Sequence, residues 1–178
     1  PIPFLRKLCL RSYIVARPGR GQALDNPSAT IVVPCRNERG NIDPAIARIS
    51  AFCDDIEILF VEGGSSDGTW EEIERVIESY PDRDIKAIKQ PGKGKGDAVR
   101  AGFDAACGDV LMIQDADLTA PPEDLPKFYE ALVEGRGEFI NGTRLVYPLD
   151  SDSMRFLNLI ANKIFSLTFT WLLNQRFT

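Results

Sequence analysis

Short β-branched runs alternate with stretches of helical spacing along most of this chain, and that alternation restricts the fold more than any other feature. Strands are predicted at 29–34 (ATIVVP), 56–61 (IEILFV), 84–89 (DIKAIK), 109–114 (DVLMIQ) and 138–141. Helices are predicted between them. The first covers 41–52, with Ile42, Ala45, Ile46 and Ile49 inward and Pro44 in its first turn. The second, 69–80, opens on a Thr69/Glu72 capping box and turns Ile73, Val76 and Ile77 inward. A third covers about 97–106 with Val99 and Phe103 inward, a fourth runs from Pro121 to about Glu134, and a long one spans 153–173. Such a pattern predicts an α/β fold with a mostly parallel sheet. A chain of 178 residues is long enough for one domain with a sizeable core.

In sheets of this class, ligands sit outside the carboxyl ends of the strands, where strand order reverses. The Gly-rich and charged residues collect in those loops: Arg36-Asn37-Glu38, Glu62-Gly63-Gly64-Ser65, Gly92 to Gly96, Asp115-Ala116-Asp117 and Gly142-Thr143-Arg144. Asp115 and Asp117 are one residue apart at the end of a buried strand. Residues i and i+2 of an extended chain point to the same side, so both carboxylates can reach one hard cation such as Mg2+ or Mn2+. The competing reading has Asp117 capping the next helix. Lys95 and Gly96 belong to a Gly-Lys stretch suited to phosphate, or to a solvated turn. Its spacing fits neither a P-loop nor a dinucleotide fingerprint. Arg144 is placed to hold a phosphate or is a plain surface arginine. Glu38 and Glu62 are positioned to accept from a base or ribose hydroxyl, or are acids favoured at a helix start.

The chain has no histidine, which excludes a Ser-His-Asp triad and a His-ligated metal within it. A net charge of −5 gives no sign of a nucleic-acid partner. Cys9, Cys35, Cys53 and Cys107 form no CxxC pair and read as reduced thiols of a cytoplasmic protein. Residues 1–28 carry Arg6, Lys7, Arg11, Arg17 and Arg20 without the apolar core of a signal peptide, and read as a linker or the tail of an upstream domain. The sequence reads as a piece of a longer protein. Residues 156–173 are apolar nearly all round but interrupted by Asn158, Asn162 and Lys163, which argues against a membrane span. A buried helix and an interfacial helix beside a lipid acceptor both remain open.

The segments IVVPCRNERGNI (31–42), LFVEGGSSDGTWE (59–71), GKGKGDAVRAGF (92–103), GDVLMIQDADLTAPPEDL (108–125) and NGTR (141–144) occur in order over about two-thirds of the chain. Together they resemble the family-2 glycosyltransferases of the GT-A fold, nearest the polyprenyl-phosphate sugar transferases of the dolichol-phosphate-mannose synthase type. The resemblance implies a catalytic domain over 29–178, truncated at its C-terminus, with a Rossmann-like sheet. It implies a UDP- or GDP-linked sugar donor. Pro34, Arg36 and Glu38 would line the nucleotide pocket, joined by Glu62, Gly63, Lys95, Gly96, Asp115 and Ala116. Glu62 and Gly63 stand where the family usually has the two Asp of a V-D-D-G run, and Thr119 stands where a Gln often follows. Asp115 and Asp117 would be the D-x-D metal ligands on the donor diphosphate, with Asp117 and Arg144 as catalytic groups. The implied reaction inverts the anomeric carbon and delivers the sugar to a polyprenyl phosphate at the cytoplasmic face of a membrane. An acceptor phosphate is already ionised near neutral pH, so it needs little general-base help. Transfer to a saccharide or protein hydroxyl, and a nucleotide-sugar-binding module without turnover, are the alternatives.

Overall fold

The computed structural model describes residues 24–142 and 156–173. Four strands form one sheet: β1 (Ala29–Cys35), β2 (Ile56–Glu62), β3 (Asp84–Lys89) and β4 (Val110–Ile113). Their order is β3-β2-β1-β4 and every pairing is parallel. The helices are α1 (Arg39–Arg48), α2 (Thr69–Ser79), α3 (Lys95–Ala105), α4 (Leu125–Val133), led by a 3-10 turn at Pro122–Asp124, and α5 (Phe156–Leu173).

The sheet is apolar on both faces, as a parallel sheet covered by helices must be. On one face Ile31, Val33, Ile58 and Phe60 pack with Ile42 and Ile46 of α1, Ile73 and Val76 of α2, and Leu125 and Tyr129 of α4. On the other, Val32, Leu59 and Val61 meet Ala98 of α3. The chain moves outward from β1 through β2 to β3, then crosses back through α3 to lay β4 on the other side of β1. Strand order therefore reverses between β1 and β4.

Pro34 lies in a central strand, where a missing N–H is normally excluded. Its neighbours explain the exception. Cys35 faces β2, since its carbonyl accepts from the Gly63 N–H, while the Val32 carbonyl accepts from the Gln114 N–H on the β4 side. Alternation places Pro34 on the β4 side too, and the β1–β4 ladder has already ended at Val32 and Ile113. The next rung would need a Pro34 N–H to reach the Gln114 carbonyl. The proline thus stands where the two strands part.

Several predicted details are corrected. Residues 138–141 form no strand, and Phe139 is 84% exposed. The first helix begins two residues earlier and ends at Arg48, because Ile49 turns to an extended conformation. Pro44 is therefore past its first turn, and the Gly40 carbonyl one turn back has no donor from it. The Thr69/Glu72 capping box does not form. Gly68 is the cap residue, with φ +86°, so Thr69 is already inside the helix, and Glu72 pairs instead with Arg75. In α3 the buried face is Ala98 and Gly102, while Val99 and Phe103 are only half-buried. A Cβ on Gly102 would lie 2.3 Å from Val32 Cγ1 and 3.1 Å from Val61 Cγ2, so the helix backbone rests almost directly on the sheet. The last predicted helix is described from Phe156; 153–155 lie outside the described residues.

The chain divides into two compact units, Pro1–Phe139 and Ile140–Thr178. In the second, Ile164, Phe165, Leu167, Trp171 and Leu172 of α5 are exposed. Among the described residues no helix is long and apolar enough to cross a membrane.

Candidate functional site

The loops at the carboxyl ends of the strands are joined by a dense set of hydrogen bonds. The Asn37 N–H donates to Ser65 Oγ (2.9 Å) and the Ser66 N–H returns to Asn37 Oδ1 (2.9 Å). The Arg39 and Thr69 N–H groups both donate to the carboxylate of Asp67 (3.2 and 3.1 Å). The Glu38 N–H donates to Thr69 Oγ1 (3.0 Å), whose own hydroxyl donates to Asp67. One side chain, Asp67, thereby fixes the start of α1 and the start of α2. That role was missed in the sequence, where Thr69 was given the capping function; the signal was an Asp two residues before a helix.

Within this frame the predicted residues take different positions. Pro34 is half-buried and Arg36 exposed. Glu38 precedes α1 and accepts from Asn41 Nδ2 (2.6 Å). Glu62 is only 5% exposed and turns into its own loop, accepting from the Ser65 N–H. Burial alone would raise its carboxyl; bonds from Ser65 and the Gly64 N–H, with Lys89 nearby, outweigh that and hold it below the ordinary carboxylate value. Gly63 sits in a tight place, since a Cβ there would come within 2.9 Å of Gln90 Oε1 and 3.4 Å of Arg36 Cβ. The Cys35 thiol beside them is no nucleophile. Burial, and then the carboxylates of Glu62, Glu38 and Asp67, push it up to about 12.

Asp115-Ala116-Asp117 lies in a turn just beyond β4 rather than in the strand. The Leu118 N–H donates to the Asp115 carbonyl (3.2 Å), and Leu118 takes φ +56°. Gln114, 2% exposed, holds the loop from beneath by donating to the carbonyls of Asp115 (3.1 Å) and Ala120 (2.8 Å). Ala116 is buried in the core at 4% exposure, while Asp115 is half-buried and Asp117 exposed. Asp117 caps no helix. Its Oδ1 accepts from the N–H and hydroxyl of Thr119, and the next helical turn is preceded by Pro121.

The Gly-Lys loop meets this turn. Lys95 is the first residue of α3, and its ammonium pairs with Asp115 Oδ1. Gly96 follows, exposed, in the first turn of the helix. The loop is braced by Asp97, which accepts from the Gly92 N–H (2.9 Å) and from Gln90 Nε2 (3.0 Å). Arg144 lies outside the described residues. Among the described residues no three His, Cys, Asp or Glu side chains converge as a metal cage. Two carboxylates remain at the turn, a donor set fitted to Mg2+ or Mn2+, which commonly take one or two protein carboxylates and complete their shell with substrate phosphate and water. A cavity of about 650 Å3 opens at the opposite, amino end of the sheet, lined in part by Asp55, Glu57, Arg83 and Cys107.

Known proteins resemble this chain in sequence and in fold. The chain is 37% identical over 136 residues to a dolichol-phosphate mannosyltransferase of Pyrococcus furiosus, covering 75% of this chain and 38% of that protein. It is 31% identical over 110 residues to an undecaprenyl-phosphate 4-deoxy-4-formamido-L-arabinose transferase of Aeromonas hydrophila, covering 60% and 34%. The chain thus spans a little over a third of the length of these relatives. A mannosyltransferase from Pyrobaculum calidifontis, solved with GDP-Man and Mn2+, superimposes with a TM-score of 0.52 at 25% identity, over 74% of this chain and 37% of that one. The glucosyl-3-phosphoglycerate synthase of Mycobacterium tuberculosis, solved with Mn2+ and UDP, shares the fold with a TM-score of 0.52 at 24% identity, over 62% and 40%. The fold is that of the GT-A glycosyltransferases. Residues 30–177 match the family described as glycosyl transferase family 2, and this chain belongs to it.

Proposed function

We propose that this chain is the donor-binding part of a transferase that moves a sugar from a nucleoside-diphosphate sugar to a polyprenyl phosphate, with inversion, at the cytoplasmic face of a membrane. The observation that carries the reading is the Lys95–Asp115 pair, with Asp117 two residues on, at the carboxyl end of β4 where strand order reverses. A diphosphate needs cationic neutralisation and a divalent ion needs carboxylates; this is where both kinds of group meet. The names of the Pyrococcus and Aeromonas relatives support the lipid-phosphate acceptor, and the Pyrobaculum complex supports a Mn2+-bound donor.

Asp115 and Asp117 hold Mg2+ or Mn2+ in this reading. The bound ion supplies charge neutralisation for the departing nucleoside diphosphate. Lys95 adds a second positive charge on the same leaving group. The N-terminal amides of α3 at Lys95 and Gly96 would favour the same negative charge. Pro34, Arg36, Glu38, Glu62 and Gly63 form the nucleotide side, with Glu62 shaping its loop from within because its carboxylate is already engaged. Residues 29–178 belong to the catalytic domain in this reading, and residues 1–28 to a linker or the tail of an upstream domain. Calorimetric titration of UDP and GDP, with and without Mn2+, tests the reading on the wild type and on Asp117→Ala. Mn2+-dependent binding of one nucleotide, lost in the variant, is the expected result. Nucleotide binding that ignores Mn2+ and the substitution would overturn it.

A further inference from the structure

Lys95 and a divalent ion would compete for the charge of one carboxylate. The Lys95 ammonium holds Asp115 through Oδ1. An ammonium at contact distance neutralises that carboxylate and repels a second cation drawn to it. The backbone of Asp115 is held in place, since its carbonyl accepts from both Gln114 Nε2 and the Leu118 N–H. Lys95 is not fixed in this way. Its side chain is 61% exposed, against 30% for Asp115, and it has four rotatable carbons on the first residue of a helix. The lysine is the partner that can leave.

We infer that Lys95 is an exchangeable counter-ion that couples metal binding to nucleotide binding. Without nucleotide it occupies Asp115 and weakens the ion's hold. When a nucleoside diphosphate enters, Lys95 moves to the phosphates and frees the Asp115 carboxylate for the ion. Each ligand then raises the affinity for the other by the same factor, as thermodynamic linkage requires. The consequence is a site that stays metal-poor until donor is present. This inference rests on the metal assignment proposed above. It adds that the Lys95 cation opposes the ion in one state and assists the leaving group in the other. A lysine that only bound phosphate would not oppose the ion at all.

The test is calorimetric and needs no turnover. Mn2+ is titrated into the 178-residue chain, alone and at saturating UDP or GDP, for the wild type, Lys95→Met, Lys95→Arg and Asp115→Asn. The exposure of Lys95 makes its replacement harmless to folding, and circular dichroism of each variant checks this. Without nucleotide, Lys95→Met is expected to bind Mn2+ about two- to fivefold more tightly, the range set by a half-exposed ion pair. With nucleotide that advantage disappears, so the coupling factor falls by the same two- to fivefold. Nucleotide affinity in the absence of Mn2+ falls as well, and Lys95→Arg restores wild-type coupling. If Lys95→Met binds Mn2+ no more tightly and its coupling factor matches the wild type while Asp115→Asn loses the metal, the exchange is refuted and the metal assignment stands. If Asp115→Asn binds Mn2+ as the wild type does in the presence of nucleotide, both are refuted.

Discussion

Glu57 is a carboxylate at 6% exposure with three donors around it: Thr30 Oγ1 (2.5 Å), the Cys107 N–H (3.0 Å) and Lys86 Nζ (2.7 Å). These tie β1, β3 and the α3–β4 connection to one residue of β2. Burial alone would raise its pKa; Lys86, Thr30 and Cys107 together outweigh that and hold it below the ordinary 4.5. A depressed folded-state pKa means that the ionised form stabilises the fold at pH values above 4.5. That stabilisation is lost as pH falls through the folded-state value. Glu57→Gln is therefore expected to cost about 1–3 kcal/mol at neutral pH, because one donor then faces an amide N–H. The gap between the wild type and Glu57→Gln should narrow in urea titrations run at successively lower pH. A gap that stays constant with pH would show that the charge contributes nothing. Glu57 also shows the limit of reading single residues from sequence. Nothing within IEILFV marks Glu57 out, and only the register of β1, β2 and β3 brings Thr30 and Lys86 beside it.

At the scale of elements, α3 gives the sharpest prediction. Gly102→Ala drives a methyl into Val32 and Val61, and the overpacking is expected to cost about 1–3 kcal/mol, read as a lower urea midpoint at unchanged slope. Without the close contact, the same change would stabilise the helix by about 1 kcal/mol, so the sign of the effect decides the matter. For α1 and α2, Asp67→Ala removes the acceptor of two N–H groups and one hydroxyl, and a loss of about 1–2 kcal/mol is expected by the same measurement. These cases mark what was legible. The central strands β1 and β2 were found because β-branched runs signal burial directly; β3 and β4, half-exposed, were found as short apolar stretches between helical ones, and the predicted rim followed from the strand directions. Periodicity placed Val99 and Phe103 inward because it weighs apolar bulk, whereas α3 needed smallness to approach the sheet. The Thr-x-x-Glu pattern predicted a capping box because spacing cannot sense that Gly68 and Asp67 already hold the turn. Residues 138–141 had strand composition, but a strand exists only when a partner edge receives it.

At the scale of the molecule, β3 and β4 are the outer strands of the described sheet. β3 carries Asp84, Lys86 and Lys89, charges that discourage pairing with another chain. β4 lacks them and leaves Leu111 at 41% and Ile113 at 47% exposure. The 178-residue chain is expected to self-associate with rising concentration, and Ile113→Lys to weaken that association in sedimentation experiments. Equal behaviour of the two would show that the edge is not sticky. The other side of β4 has a different fate, decided by Pro34. The seam between β1 and β4 behaves as a zipper with a welded stop. Its teeth close up to Val32 and Ile113, and the next tooth is missing because a pyrrolidine ring replaces the hydrogen. Running the seam further shut would leave the Gln114 carbonyl facing a ring with no hydrogen to give. The Asp115 turn thus begins where the ladder runs out of donors, and Gln114 uses its side chain rather than its backbone to hold that turn.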